Sequence, residues 1–279
     1  MSQTIFDPVG ARPRLFFMHI PKTSGSRQNA LIRELWGEDA LVHAESWFHP
    51  IRTGRHAPMR ADAVSGHIAF ASWRAQGLDR VYPGATVLRD PWQRLVSHIN
   101  WMDRFNHGVD SETRARLSQS HARIVEALAE TDFDAASSLK RLVTRLTDAG
   151  DHGLFDNLQV RMSLPEPPAP GASMAPEDSA AAIQVLRGFV LVGDAERQGD
   201  FTRALARIAS ARVPSPAADV PVNPARSGRM RADNLAARAA LSGWWQQDAT
   251  LRAAILPGRS PVHRLAAAAS RGLHALRRR

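Results

Sequence analysis

Between Leu15 and Ser26 the chain reads LFFMHIPKTSGS, an apolar run that breaks at Pro21 into Lys22, Thr23, Ser24, Gly25 and Ser26. One ammonium, three hydroxyls and a glycine in five consecutive residues are the parts of an anion cradle. A turn exposes backbone N–H groups, and a lysine adds a mobile point charge. Sixty-seven residues beyond Lys22 stands Arg89, in LRDPWQRLVSH, followed by Arg94 and Ser97. A guanidinium can grip a phosphate through two parallel N–H bonds, and a hydroxyl can complete its shell. Between the two segments, VSGHIAF carries His67, and imidazole is the side chain best suited to take a proton near neutral pH. An anion held at two points beside a proton acceptor is the equipment for transferring a group from an anionic donor to a hydroxyl.

The elements that would carry these residues follow from length and period. Arg14–Ile20 is a short apolar run between two prolines, with Phe16 and Phe17 favouring a strand. After the polar turn, Ala30, Leu31, Leu35 and Trp36 fall at helical spacing. A second unit has a buried strand at Ala85–Leu88 and a helix opened by Asp90 as N-cap and Pro91 at its first position, with Leu95, Ile99 and Met102 on the buried face. A third pairs a strand in Gly188–Asp194 with a helix near Asp200–Ala209. Strand, turn, helix, repeated, predicts an α/β fold. Between the second and third units, Glu112–Glu130 and Phe133–Leu146 read as a helical insertion. Pro165–Pro176 and Val213–Pro224 are Pro-rich loops. The expected organisation is one α/β domain over residues 1–257 and a basic tail over 258–279.

Composition narrows the function classes. The 279 residues carry a formal net charge of +9 and no cysteine, which excludes disulfides, thiolate zinc sites and cysteine nucleophiles. Six of those positive charges come from arginines in the tail, which has no acid. Lys22 and Lys140 are the only lysines among 36 basic residues. That a cation-rich chain keeps a lysine in this turn fits a need for a compact ammonium. The N-terminus has no apolar core of a secretory signal, and no run reaches the ~18 apolar residues of a membrane span. A cytoplasmic protein is expected.

The turn HIPKTSGS resembles the 5′-phosphosulfate-binding motif of sulfotransferases that use 3′-phosphoadenosine 5′-phosphosulfate, PAPS, and is closest to the carbohydrate and heparan-sulfate branch. In that branch the motif runs His-Ile-Pro-Lys-Thr-Gly-Gly-Thr-Ser. Here Ser24 replaces the first glycine, and Arg27 stands where a small hydroxyl residue is usual. The family's second motif, Arg-Asp-Pro-x-x-Arg-x-x-Ser, binds the 3′-phosphate and is matched at Arg89, Asp90, Pro91, Arg94 and Ser97. The resemblance implies a bacterial member with donor contacts at Lys22, Thr23, Ser24, Gly25, Ser26, Arg89, Arg94 and Ser97. It also implies His67 as catalytic base, within the family's Gly-His-x-x-Phe segment, and Lys22 as the second catalytic residue. The fold implied is P-loop-like and three-layered around a mostly parallel sheet, although the Walker A pattern G-x-x-x-x-G-K-[ST] is absent.

Weaker echoes extend the resemblance from about Arg14 to Leu256. DNLQVRMSL places Asn157, Gln159 and Arg161 near the family's acceptor cleft, and a polar helix face explains the same residues. VNPARSG offers Arg226 and Ser227 to the 3′-phosphate. In LSGWWQQDATLRAAI, Asp248 and Leu251 fit the family's closing helix, while Arg252 replaces its usual tyrosine. The co-substrate would be PAPS with no metal. The acceptor would be a hydroxyl of a carbohydrate or glycolipid, with Trp47, Phe48, Trp73, Trp92 and Trp101 as core residues or sugar platforms. The tail offers weak membrane-surface contact. Two other readings stay open. One is a P-loop-type small-molecule kinase, against which the lysine is misplaced. The other is a nucleic-acid-binding protein suggested by charge, although the chain has no recognition motif of that kind.

Overall fold

A computed structural model describes residues 6–7, 12–45, 59–107, 111–169, 171–211 and 228–257. Arg226, Ser227, Trp47, Phe48, the 213–224 loop and the tail lie outside the described residues.

Five parallel strands form the central sheet: β1 Leu15–Met18, β2 Ala40–Val42, β3 Ala63–Gly66, β4 Gly84–Leu88 and β5 Leu191–Asp194, in spatial order β2-β3-β1-β4-β5. The strands β1, β4 and β5 begin and end inside or near the runs expected for them. The strands β2 and β3 were not expected. β2 is three residues long and β3 reads Ala-Val-Ser-Gly, too short and too polar to stand out by period.

All four β1 residues are fully buried, because helices cover both faces of a parallel sheet and leave no polar side. Leu15 and Phe17 point to one face, where they meet Leu31, Ile32, Leu35 and Trp36 of α1 (Gly25–Trp36) and Phe201 and Leu205 of the helix after β5. Phe16 and Met18 point to the other, among Trp73, Tyr82, Leu186 and Leu251. There Phe16 stacks flat on Trp73 at 4.0 Å between ring centroids. The Trp36 indole donates to Pro13 O at 2.9 Å and the Tyr82 hydroxyl to Ala61 O at 2.8 Å, so these two bury their rings and still satisfy their donors.

After β1 the chain order of the remaining helices is α2 Phe70–Ala75, α3 Pro91–Asp103, α4 Ser111–Ala115, α5 Gln119–Ala129, α6 Ala136–Asp148, α7 Leu158–Met162, α8 Pro176–Arg187, α9 Gln198–Ile208, α10 Leu235–Ala240 and α11 Gln246–Ile255. The expected helical insertion is α4 to α6. It packs on α3 in a separate apolar cluster with Leu95, Ile99, Met102, Leu128, Leu142 and Trp244. Arg229 ties this layer together, gripping Asp103 through Nε at 2.8 Å and through Nη2, and donating to Leu128 O at 2.6 Å. Asp90 caps α3 as its sequence predicts, its carboxylate accepting from Gln93 N at 2.9 Å. Among the described residues no helix is long and apolar enough to cross a membrane.

Candidate functional site

The chain leaves β1 toward β2 and β3 on one side and leaves β4 toward β5 on the other. The carboxyl ends of the adjacent strands β1 and β4 therefore form the sheet's switch point, where open α/β sheets bind ligands. Lys22 follows β1 there and Arg89 follows β4. The Arg89 guanidinium donates to the Lys22 carbonyl at 3.1 Å, so two segments 67 residues apart meet at this crevice.

The turn is built around backbone that few residues adopt. Lys22 and Ser24 have φ of 69° and 72°, the left-handed region that costs a side-chain-bearing residue ~1–2 kcal/mol. Such strain persists where surrounding contacts impose it. Thr23 is buried and its hydroxyl donates to Ile20 O at 2.8 Å, clamping the turn from inside. Ser24 does not cap α1; its hydroxyl instead accepts from Gln198 Nε2 at 3.0 Å. With the cap side chain drawn away, the first amides of α1 have no side-chain acceptor among the described residues at the positive end of the helix. Ser26 is exposed in the first turn of that helix. The position of Ser24 is one where glycine would relieve strain. Ser24→Gly is expected to leave stability nearly unchanged, since relieved strain offsets the lost Gln198 bond. Ser24→Ala keeps the strain, loses the bond and is expected to cost ~1 kcal/mol in urea denaturation.

Any side chain at Gly25 would have to displace a neighbouring ring. A Cβ there would lie 1.6 Å from Nε2 of His19, whose ring occupies the space. Burial, reinforced by the charges of His67, His43 and Lys22, holds the His19 pKa down to about 3, so this imidazole is neutral and acts as a packing block. His67 lies beside it, with 4.3 Å between ring centroids. It is solvent-exposed although protein surrounds most of it, as suits the wall of a cleft. Desolvation lowers its pKa against the opposing pull of Glu45. At neutral pH the ring is a free base. Glu45 also holds the loop, its carboxylate accepting from His67 N at 3.1 Å and lying 3.7 Å from His43 Nδ1.

Three cations converge on the crevice. The Lys22 ammonium is half-buried, and burial followed by the charges of Arg104 and Arg89 lowers its pKa to about 8. It sits 5.7 Å from the centre of the Trp101 ring, which also carries the Arg104 guanidinium at 5.0 Å. Ser97, Trp101 and Arg104 follow at i, i+4 and i+7, one face of α3 and its extension. The sequence offers Trp101 only as a core residue or sugar platform and gives Arg104 no motif. The signal that could have found them is their helical register with Ser97.

Arg94 has a different place from the one expected. It is fully buried, its Nη2 donating to Phe155 O at 2.9 Å, its Nη1 3.3 Å from His98 Nδ1 and its Nε 3.7 Å from Asp248. A guanidinium enclosed in this way cannot touch a ligand in the crevice. It lies three residues before Ser97, one helical turn closer to the N-terminus of α3, where Phe155 and Asp248 cover it.

Asn157, Gln159 and Arg161 also turn inward rather than to an acceptor. Asn157 Oδ1 accepts from Gln247 N at 2.8 Å and Asp248 N at 3.1 Å, capping α11. Asp248 returns the cap to α7, accepting from Val160 N at 2.8 Å and Gln159 N at 3.2 Å. Arg161 binds Asp156 Oδ2 and Ala172 O, each at 2.6 Å. Gln159 is the member that reaches the crevice. Its Oε1 accepts from Arg89 N at 2.9 Å and its Nε2 donates to Arg89 O at 3.1 Å. Of the tryptophans, Trp73 and Trp92 are core, and Trp101 is half-buried at the crevice.

Among the described residues no group of His, Asp and Glu is arranged to hold a metal ion. Compared with known proteins, the chain matches no family model and no curated protein.

Proposed function

We propose that this chain is a P-loop-like sulfotransferase that moves the sulfuryl group of PAPS to a hydroxyl of a carbohydrate or glycolipid. The observation that carries the reading is the meeting of Lys22 and Arg89 at the switch point of the sheet. Each belongs to a motif that resembles one half of the donor site in this family, and the pairing of β1 with β4 sets the two side by side.

The residues present fit a donor with two anionic groups. The left-handed turn, the uncapped start of α1 and Lys22 suit the 5′-phosphosulfate. Arg89 and Ser97 suit the 3′-phosphate, with Arg226 and Ser227 as further contacts. In the reaction the acceptor oxygen bonds to sulfur while the bond from sulfur to the bridging phosphate oxygen breaks. Negative charge then grows on the departing phosphate, and the Lys22 ammonium and turn amides lower the energy of that charge. His67 as free base takes the acceptor's proton. The product nucleotide is 3′-phosphoadenosine 5′-phosphate.

That product provides the test. It is expected to raise the melting temperature by several degrees at concentrations well above its Kd, while ATP with Mg²⁺ does not. No shift with the product nucleotide would overturn the reading, and a large ATP shift would favour the kinase. His67→Ala should keep the shift and lose transfer of labelled sulfate to an acceptor extract. Transfer retained by that variant would remove His67 as the base.

A further inference from the structure

Nothing in the sequence motifs accounts for Trp101 and Arg104, yet both face the one lysine of the crevice. The ring of Trp101 has the Lys22 Nζ at 5.7 Å and the Arg104 Cζ at 5.0 Å, within the range of cation–π attraction. Arg104 is exposed and also lies 5.3 Å from the Phe105 ring. Trp101 is itself fixed, edge-on to Phe105 at 5.6 Å and tilted against His98 at 5.9 Å. Two cations sharing one indole repel each other, and among the described residues Arg104 and Arg89 are the charges that act on Lys22. The neighbouring imidazoles of His19, just after β1, His67, just after β3, and His98, on α3, are all shifted toward their neutral forms by burial.

We propose that Trp101 and Arg104 are positioning residues for Lys22: the indole face holds the ammonium beside the turn, and the like charge of Arg104 keeps that hold weak enough for a bound anion to take it over. The inference rests on the anion-binding reading of the crevice but not on sulfate as the group transferred. It separates the tasks of the three cations. Arg89 is anchored through its backbone and side chain, whereas the Lys22 ammonium has no hydrogen-bond acceptor among the described residues and lies over a ring face, which makes it the mobile member. An anion entering the crevice screens Arg104 and draws Lys22 off the ring, so binding charges and reorients one side chain together.

The test uses the two lysines of the chain. Reductive methylation with ¹³C-formaldehyde labels Lys22 and Lys140, and Lys140, exposed on α6, serves as the internal reference for each pH titration by NMR. In the wild type the Lys22 methyl signal is expected to be shifted upfield by the indole ring current and to titrate below that of Lys140. Trp101→Leu should abolish the upfield shift. Trp101→Phe, which preserves an aromatic packing surface, should retain part of it if the larger change unfolds the protein. Arg104→Gln should raise the Lys22 titration midpoint with the upfield shift kept. The inference is overturned if the Lys22 signal shows no ring-current shift, or if Arg104→Gln leaves its midpoint unchanged. Adding 3′-phosphoadenosine 5′-phosphate should then remove the upfield shift and raise the midpoint. If this nucleotide leaves both unchanged while pyrophosphate moves them, the donor assignment fails and the positioning role stands. If it binds, as read by a melting shift, and Lys22 stays on the ring, the positioning role fails and the donor assignment stands.

Discussion

Lys22→Met is expected to lower sulfate transfer by ~10²–10³-fold, the loss that follows removal of one preorganised charge contact to a transition state. Methionine keeps the length and the apolar stem, so the loss reports the ammonium alone. Lys22→Arg should fail to restore the rate, because a planar fork on a left-handed residue cannot place a compact charge at one bridging oxygen. The same ammonium sets an alkaline limit. With its pKa lowered to about 8, it is charged below that pH and loses its proton above it. Affinity for 3′-phosphoadenosine 5′-phosphate should therefore fall as pH rises past about 8, by at most tenfold per unit. At the acid side, protonation would disable His67 in its proposed role as base, and burial moves that limit below the ordinary histidine value. Calorimetric titrations of wild type and Lys22→Met across pH 6–10 check the first limit. A fall in affinity past pH 8 that persists in Lys22→Met would show that another group is responsible.

Arg94 and Asp248 supply the second large effect, on stability rather than chemistry. Both side chains are fully buried and separated by 3.7 Å, and burial pushes the Asp248 carboxyl up to about 6 even with Arg94 and the α7 amides beside it. Removing one partner strands the other charge, so Arg94→Met or Asp248→Leu alone should cost ~3–5 kcal/mol. The double variant should recover a good part of the Arg94 loss by removing the stranded charge. It cannot recover all of it, because Val160 N and Gln159 N would still lack their acceptor. Urea denaturation of the three variants measures the coupling. Equal losses that simply add would show that the pair does not act as a pair.

The comparison of Arg89 with Arg94 shows what the sequence reveals and what it hides. The motif Arg-Asp-Pro-x-x-Arg-x-x-Ser identifies a strand end and a capped helix, and β4, Asp90 and α3 are where it puts them. It does not say which arginine faces the crevice. Residues at i, i+3 and i+7 of a helix share a face, so register alone does not separate Arg94 from Ser97 and Trp101; what encloses it is the cover of Phe155, His98 and Asp248. Likewise Asn157, Gln159 and Arg161 have the residue types of a binding face, but Asn157 caps α11, Arg161 pairs with Asp156 and Gln159 clasps the backbone of Arg89. The strands β1, β4 and β5 are legible because their apolar runs end at Pro, Asp or a turn. Strands β2 and β3 have no such contrast and depend on neighbours for their pairing. Trp101 and Arg104 share a helical register with Ser97, but that register does not reveal that they face Lys22, which is distant in sequence.

The clasp of Gln159 on Arg89 has a consequence for the order in which the protein assembles. A glutamine amide has the donor and acceptor of a peptide unit, and here it extends the ladder of β4 by one rung from outside the sheet. Lys22, His67 and Arg89 all belong to the first third of the chain, yet that rung comes from residue 159 and is steadied by residue 248. During synthesis the crevice would remain incomplete until α11 docks, well after its own residues have left the ribosome. Such long-range closure is slow compared with helix formation. A nascent or truncated chain ending before Asp248 would carry every proposed catalytic group and still lack the support that sets Arg89.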